Sequence, residues 1–578
     1  MENYNNDDIQ NKIKLINDYF KLPIYYLDKE ILNKTIVDDL ELVECKNPQM
    51  KPLYHNYFNI NDTNYFSIII SKQFSEYYTT NKKYLKDSQN LIKNYKHPDN
   101  YNPNIFEKSD IFKIWDEIKN DNGFKERYQF IDWNKFEYLN NSESFLEIMS
   151  VYNLVGPIIT IITPIIILLI PFMVLKIKQI EINFNEYINV LREIAKTHAI
   201  GKLFTMNYSE IDNQQLIYTI ISAAFYVFSI YQNILVFIRF NDNMQKIHKY
   251  IFKIKEYIKY TIDQIDQYIV NTSDLITYQS FHEKLKNNKN NLLALQNQLV
   301  DISEYKITCS KKIFEIGKVM KVFYSIHSND QLNESLLFSF GFHGYVDCII
   351  GLQKNLRNKL VNYCTFTDKN TGFTNSYYGI LKDKPNIKNN IDLSNNIIIT
   401  GPNASGKTTV LKSSIINIIC NQQMGYGFYE QSIQPIYKYL HCYLNIPDTS
   451  GRDSLFQAEA RRCKEIIDCI NENPTDKHFC IFDELYSGTN PVEAVTTATS
   501  FLKYLSKNKN VRFHLTTHYI KLCKKVNKFK NIHNYCMETT KNKDKIIYKY
   551  KIKQGISTVK GGMQVLCNLN YPKEIIGD

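Results

Sequence analysis

The stretch "IIITGPNASGKTTVLKS", residues 397–413, sets a lysine and two threonines behind a glycine-rich loop. Gly401 and Gly406 fit the pattern G-x-x-x-x-G-K-[ST]. The β-branched run "NNIIIT" precedes it and a helical pattern follows, which is the setting this pattern requires. The backbone N–H groups of residues 403–408, at a helix N-terminus, then form an anion cradle. Lys407 reaches the β- and γ-phosphates of a nucleotide, and the Thr408 hydroxyl serves Mg2+. Downstream, "HFCIFDELYSGTN" reads as an apolar strand ending in Asp483 and Glu484. One carboxylate at such a strand end holds Mg2+ through its water shell, and its neighbour orients or deprotonates an attacking water. "VRFHLTTHYIK" is a further strand, ending in Thr517 and His518, where a histidine is placed to sense or polarise a γ-phosphate. Between the loop and the acidic pair, "SGRDSLFQAEARR" joins Ser454 to Gln457 as a capping box, so a helix starts there with exposed N–H groups. On one reading the box only caps a helix. On the other, that helix start faces the γ-phosphate of a second subunit.

The order TGPN-x-x-GKTT, S-x-F-x-x-E, DE-x-x-x-GT, TTHY, closed by "GISTVKGGMQVLCNLNYPKEII", resembles the MutS family of DNA-repair ATPases, a branch of the ABC class. The resemblance covers roughly residues 380–576 and implies an α/β P-loop ATPase domain at the C-terminus, with ATP and Mg2+ as cofactors. It implies nucleotide binding by the loop residues Gly401, Pro402, Asn403, Ala404, Ser405 and Gly406, with Lys407, Thr408 and Thr409 at the helix start. By the same resemblance Thr408 and Asp483 serve the metal, Glu484 is the hydrolytic base and His518 contacts the γ-phosphate region. Ser454 acts in trans, in a homodimer with composite sites. The sequence also departs from the family. There an aromatic and an aliphatic residue sandwich the adenine upstream of the loop; "KPNIKNNIDL" places Asn386 and Ile387 there. Ile387 supplies the aliphatic half, and the aromatic half is missing or comes from Tyr377 or Tyr378. The mismatch-probing Phe-x-Glu finds its letters only in Phe145-Leu146-Glu147, which abut an apolar run. No helix-turn-helix dimerisation tail is expected beyond the last motif.

The elements that carry this chemistry sit behind a different kind of sequence. Residues 154–175, "LVGPIITIITPIIILLIPFMVL", hold no charge, and 15 of the 22 are Leu, Ile, Val or Phe. Those side chains favour a bilayer by about 5–9 kcal/mol, and the run is long enough to span one as a helix. Pro157, Pro164 and Pro171 recur at seven-residue spacing and so fall near one helical face. They are ruinous in a soluble helix and tolerable in a membrane, where partners satisfy the freed carbonyls. A second uncharged run, residues 216–238, carries three tyrosines with Gln232 and Asn233 and is the weaker of the two. The alternative for both runs is a pair of buried core helices. Arg239, Lys246, Lys249, Lys253, Lys255 and Lys259 follow the second run and mark that flank as cytosolic. The expected organisation is an N-terminal, mostly helical region over 1–145, a transmembrane hairpin over 151–240, a helical core or lever over 241–366, and the ATPase domain over 367–578. The protein is thus expected in a membrane, with the ATPase domain facing the cytosol.

The formal net charge of +11 suits nucleic acid or an anionic membrane surface, but it is spread along the chain rather than gathered in one arm. The twelve cysteines show no C-x-x-C pair and no regular framework, which points to a reducing compartment. The polar, acidic N-terminus shows no cleavable signal. Two function classes remain: an ATPase acting on DNA or a DNA-bound partner at a membrane, and a membrane-tethered, nucleotide-gated scaffold or protein-remodelling ATPase without DNA binding. An ABC transporter half-molecule is disfavoured, because two spans do not easily build a translocation path.

Overall fold

The computed structural model describes residues 15–61, 64–96, 108–178, 184–196, 201–203, 213–300, 302, 315–382, 386–444, 446, 454–542, 545–559, 566, 569, 571–572 and 574. The chain divides into two compact units, one of Asn102–Ile262 with Asn290–Ser335, the other of Met1–Tyr101, Asp263–Lys289 and Leu336–Asp578.

The first unit contains helix α1 (Glu143–Ile177), capped by the Ser142 hydroxyl, and most of α2 (Asn213–Asn271). The apolar runs 154–175 and 216–238 fall inside these two helices. Phe145-Leu146-Glu147 lies in the first turns of α1, in plain helix. The prolines do not interrupt α1, but each removes an N–H, so the carbonyl four residues earlier loses its helical donor. For Pro164 that carbonyl belongs to Thr160. It accepts the Tyr226 hydroxyl of α2 at 2.8 Å, while Asn233 Nδ2 donates to Thr160 Oγ1 at 2.8 Å. The two apolar helices therefore pair through polar groups at the point where α1 lacks its own bond.

Among the described residues three helices are long and apolar enough to cross a membrane, the third being α3 (Asp330–Arg357). Burial separates them: 89% of the apolar stretch of α3 is buried inside the protein, against 11% for α1 and 6% for α2. α3 is a core helix. At Gly351 it touches the backbone of Phe58 so closely that a Cβ would lie 1.7 Å from the Phe58 carbonyl oxygen. On α1 and α2, Ile158, Ile162, Ile165, Leu169, Phe225 and Phe228 are exposed.

The second unit opens with a two-strand ladder, β1 (Glu30–Ile31) with β2 (Tyr77–Tyr78). It continues with a five-stranded sheet of β3 (Asn362–Phe366), β4 (Gly372–Ser376), β5 (Asn389–Asp392), β7 (Tyr426–Gly427) and β8 (Gln431–Gln434), in the order β5-β4-β8-β3-β7. The six-stranded sheet comprises β6 (Asn396–Thr400), β9 (Tyr439–Tyr443), β10 (His478–Asp483), β11 (Val511–Thr517), β12 (Ile532–Asn542) and β13 (Lys545–Gln554), in the order β13-β12-β6-β11-β10-β9. All its pairings are parallel except β12 with β13. Every residue of β6 is buried, as expected of a central parallel strand. Helix α4 (Lys407–Met424) packs on this sheet; α5 (Leu455–Glu472) and α6 (Pro491–Leu505) flank β10 in sequence.

Two boundaries differ from the sequence-based division. A cut at 366/367 separates β3 from β7 and β8, with which it pairs. The region 1–145 divides at residue 101, and its first part packs into the ATPase-type unit. Buried tyrosines make that join. Tyr54 and Tyr57 donate to Gln423 Oε1 and to the Tyr426 carbonyl at 3.1 and 2.9 Å, and Tyr78 donates to the Lys438 carbonyl at 2.7 Å.

Candidate nucleotide site

Register brings the chemistry to one edge. Thr400 at the end of β6 pairs with Thr517 of β11, and Asp483 at the end of β10 pairs with Thr516. The carboxyl ends of three adjacent strands thus meet where ligands bind in parallel α/β sheets. The loop leaving β6 has left-handed backbone at Ala404 (φ 60°) and Gly406 (φ 92°), the alternation that turns successive N–H groups to one side. Ser405 Oγ is buried there with no hydrogen-bond partner within the protein.

Lys407 is buried and its ammonium donates to the carbonyls of Gly401 and Pro402 at 3.1 and 3.3 Å. Burial lowers its pKa, against the raising charges of Glu484 and Asp483. His518 Nε2 lies 3.1 Å from Lys407 Nζ and 2.8 Å from Glu484 Oε1. A single ring nitrogen cannot accept from the lysine while donating to the carboxylate. The shorter, charge-assisted contact requires Nε2–H, which leaves the third ammonium proton of Lys407 for a ligand. The same His518 hydrogen bond is the largest influence on Glu484 and lowers its pKa, with the charges of His518 and Lys407 helping and burial opposing. Glu484 is accordingly a carboxylate at neutral pH.

Thr408 Oγ1 donates to Asp483 Oδ2 at 3.0 Å, and Thr516 donates to Asp483 Oδ1. The donors gathered here are all oxygens, the set a hard cation such as Mg2+ takes. The carboxylate chain then bends sharply: Glu484 and Tyr486 have φ 54° and 57°, strain of about 1–3 kcal/mol each that persists only where the surroundings impose it. What imposes it is α5. The buried Glu459 accepts from the Ser487 N–H and hydroxyl at 3.0 and 2.9 Å and from the Gly488 N–H at 3.2 Å. Glu459 is the last letter of S-x-F-x-x-E, a position whose role is visible only in the fold.

The capping box is present: Ser454 Oγ accepts from the Gln457 N–H, and Gln457 Oε1 from the Ser454 N–H at 2.9 Å. Ser454→Ala removes one of these reciprocal bonds and is expected to lower stability by about 1 kcal/mol. It is expected to weaken hydrolysis far less than a change at Glu484, because the other N–H groups of the helix start remain. Denaturant titration alongside steady-state turnover measures both.

A cleft of about 580 Å³ runs from the loop to Tyr378, Asn386, Ile387 and Tyr550, with Glu484 at its wall. Ile387 lines this cleft. Of the two candidate aromatic partners, Tyr377 is excluded: it is buried and its hydroxyl donates to the Leu360 carbonyl. Tyr378 lines the cleft, and so does Tyr550, which sequence reasoning missed. Tyr550 sits on β13 with φ 53°, and a Cβ on Gly406 would lie 3.2 Å from its ring. Nothing in "IIYKYKIK" distinguishes it from its neighbours; only the antiparallel return of β13 brings it to the loop. Most of the closing Gly-rich segment lies outside the described residues.

Residues 397–578 match the family model described as MutS domain V. The C-terminal domain of this chain is MutS-like. The chain is 25% identical over 195 residues to the DNA mismatch repair protein MutS of Listeria monocytogenes serovar 1/2a, covering 33% of this chain and 22% of that protein. The MutS of Prochlorococcus marinus (strain MIT 9312) is 28% identical over 201 residues, covering 34% and 22%. With the MutS of Listeria monocytogenes serotype 4b the similarity reaches 303 residues at 23% identity, 52% of this chain and 31% of the relative. The chain therefore spans only about a fifth to a third of the length of these relatives.

Proposed function

We propose that this chain is a membrane-tethered, MutS-like ATPase that hydrolyses ATP at composite sites of a homodimer. The convergence of Lys407, Thr408, Asp483, Glu484 and His518 at one sheet edge carries this reading. The orphaned hydroxyl of Ser405 inside the cradle and the all-oxygen pair Thr408–Asp483 fit a phosphate with its Mg2+. The metal, when bound, neutralises charge on the phosphate oxygens. Lys407 places a fixed positive charge beside the cradle. Ile387, with Tyr378 or Tyr550, offers an apolar slot for a base. Glu484 takes the proton of the attacking water, and His518 holds the carboxylate in place and ionised. Ser454, exposed at the start of α5, is presented to a second copy.

Membrane attachment by α1 and α2 is supported by their exposed apolar surface and by the proline-freed carbonyl that Tyr226 satisfies. The basic residues after 238 support a cytosolic placement of the ATPase domain. The protein is expected to sediment with membranes and to resist alkaline extraction, with residues 176–215 shielded from cytosolic protease. Full solubility without detergent overturns the attachment.

The relatives' name brings DNA into the reading. Phe145–Glu147 lie in α1 and form no mismatch reader, so binding is expected through Lys and Arg contacts to phosphate. Affinity for duplex DNA is expected to fall steeply with salt and to differ less than tenfold between a G·T mismatch and homoduplex, measured on detergent-solubilised protein. A preference of tenfold or more for the mismatch contradicts it. Absence of any salt-dependent binding favours the second reading, a nucleotide-gated scaffold or protein-remodelling ATPase without DNA.

A further inference from the structure

At the opposite end of β10 from Asp483, three side chains converge that take no part in the nucleotide chemistry. His478 opens β10, His441 lies on the edge strand β9, and Cys469 lies in the last turn of α5. Cys480 pairs with His441 across the ladder, so His441 and His478 project to the same sheet face, the one α5 covers. Their ligating atoms all lie within 4.8 Å of one another. From this geometry we propose a Zn2+ site formed by His441, Cys469 and His478.

The hydrogen bonding selects the ligand atoms. His478 Nε2 lies 2.9 Å from the Asn473 carbonyl, which only accepts, so Nε2 carries the proton and Nδ1 keeps its lone pair. Nδ1 faces His441 Nε2 at 3.1 Å. Two imidazole nitrogens on a tetrahedral Zn2+, each about 2.0–2.1 Å from the metal, are about 3.3 Å apart, so the pair is already near ligating separation. A carbonyl that holds the far nitrogen of a histidine is also the usual outer support of a metal-binding imidazole, fixing tautomer and ring orientation. Asn473 is the C-cap of α5, so this support and the thiol come from the same helix end.

Cys469 is half-buried and unpaired with any cysteine. On binding, the S–H bond of Cys469 breaks, the sulfur lone pair forms the bond to Zn2+ and that proton leaves to solvent. The proton that His441 Nε2 shares with His478 Nδ1 is lost from Nε2 while Nδ1 of the His441 ring takes one up, so one proton is released in all and no electron is transferred. A thiolate with two imidazoles is a donor set for zinc rather than for Mg2+ or Ca2+. Three protein ligands leave one position to water. The site lies about 17 Å from Asp483 at the rise of an extended strand. Its effect is therefore to clamp the end of α5 against the edge strand β9, not to join in hydrolysis. It does not depend on the nucleotide reading.

Titration of the full-length, chelator-treated protein with Co2+ tests it. Supporting results are a thiolate-to-Co2+ charge-transfer band saturating at one equivalent and displaced by Zn2+, and its loss in Cys469→Ser. His441→Gln is expected to weaken Co2+ binding by about 100-fold. Far-ultraviolet circular dichroism and the thermal unfolding midpoint report whether each variant is folded, whatever the chain binds in its cleft. If Cys469→Ser fails that check, His441→Gln decides alone. No band in the wild-type protein, a band that persists in folded Cys469→Ser, or undiminished affinity in His441→Gln overturns the site.

Discussion

Lys407→Ala is expected to reduce ATP turnover by roughly 1,000-fold, the scale of losing one fixed donor aimed at developing charge. The lysine is buried, its ammonium held by two loop carbonyls, with one proton free toward the cradle. Alanine leaves the loop backbone intact and removes the only charge within it, so the strand and helix on either side keep their places. Phosphate release at saturating ATP, with a fluorescent analogue to follow binding, measures the loss. Turnover like that of the wild type would remove the phosphate-loop reading altogether.

Glu484→Gln separates binding from hydrolysis. The amide keeps the shape and still accepts from His518 through its oxygen, so the strained turn after β10 and its Glu459 anchors remain. It cannot take a proton from water, and turnover is expected to fall by about 100- to 10,000-fold. ATP affinity is expected to stay within a few-fold of wild type, because Lys407 and the loop are untouched. With hydrolysis stopped, the proposed composite sites are expected to stay closed on ATP, and the chain is expected to elute as a dimer in ATP and as a smaller species without it. A variant that binds ATP but stays monomeric refutes the composite site while leaving the ATPase itself standing.

The features legible in the sequence were those built from contiguous residues. A loop between a β-branched strand and a helix, an acidic pair at a strand end and a capping box each need only a dozen positions, and each stands where the spacing put it. Tyr550 was illegible because the return of β13 brings it to the loop from far along the chain. Glu459 was visible as a letter, but its role depends on Ser487 and Gly488, which only folding delivers to it. The join between residues 1–101 and the ATPase-type core was hidden for a chemical reason. It rests on tyrosines, whose 43 copies read as compositional bias, whereas several serve as buried donors to carbonyls and amides. α3 was legible as a helix, and its depth was not, since a core helix and a bilayer helix share one composition.

The contact at Thr160 sets hydrophobicity and helix pairing against each other. Tyr226 belongs to the polar content that makes residues 216–238 the weaker apolar run, and with Asn233 it also serves the residue that Pro164 leaves short of a donor. Leucine at both positions would make the second run more apolar and at the same time strand the Thr160 carbonyl, which on the proposed membrane reading costs several kcal/mol. Substitutions here are thus conditional on one another: a nonpolar residue at 226 becomes tolerable once position 164 regains an N–H, and proline at 164 is safe only while 226 keeps its hydroxyl. Hydropathy alone ranks the second helix as the more dispensable of the two. The hydrogen bonds rank it as the one that supplies the donor Pro164 takes from the first.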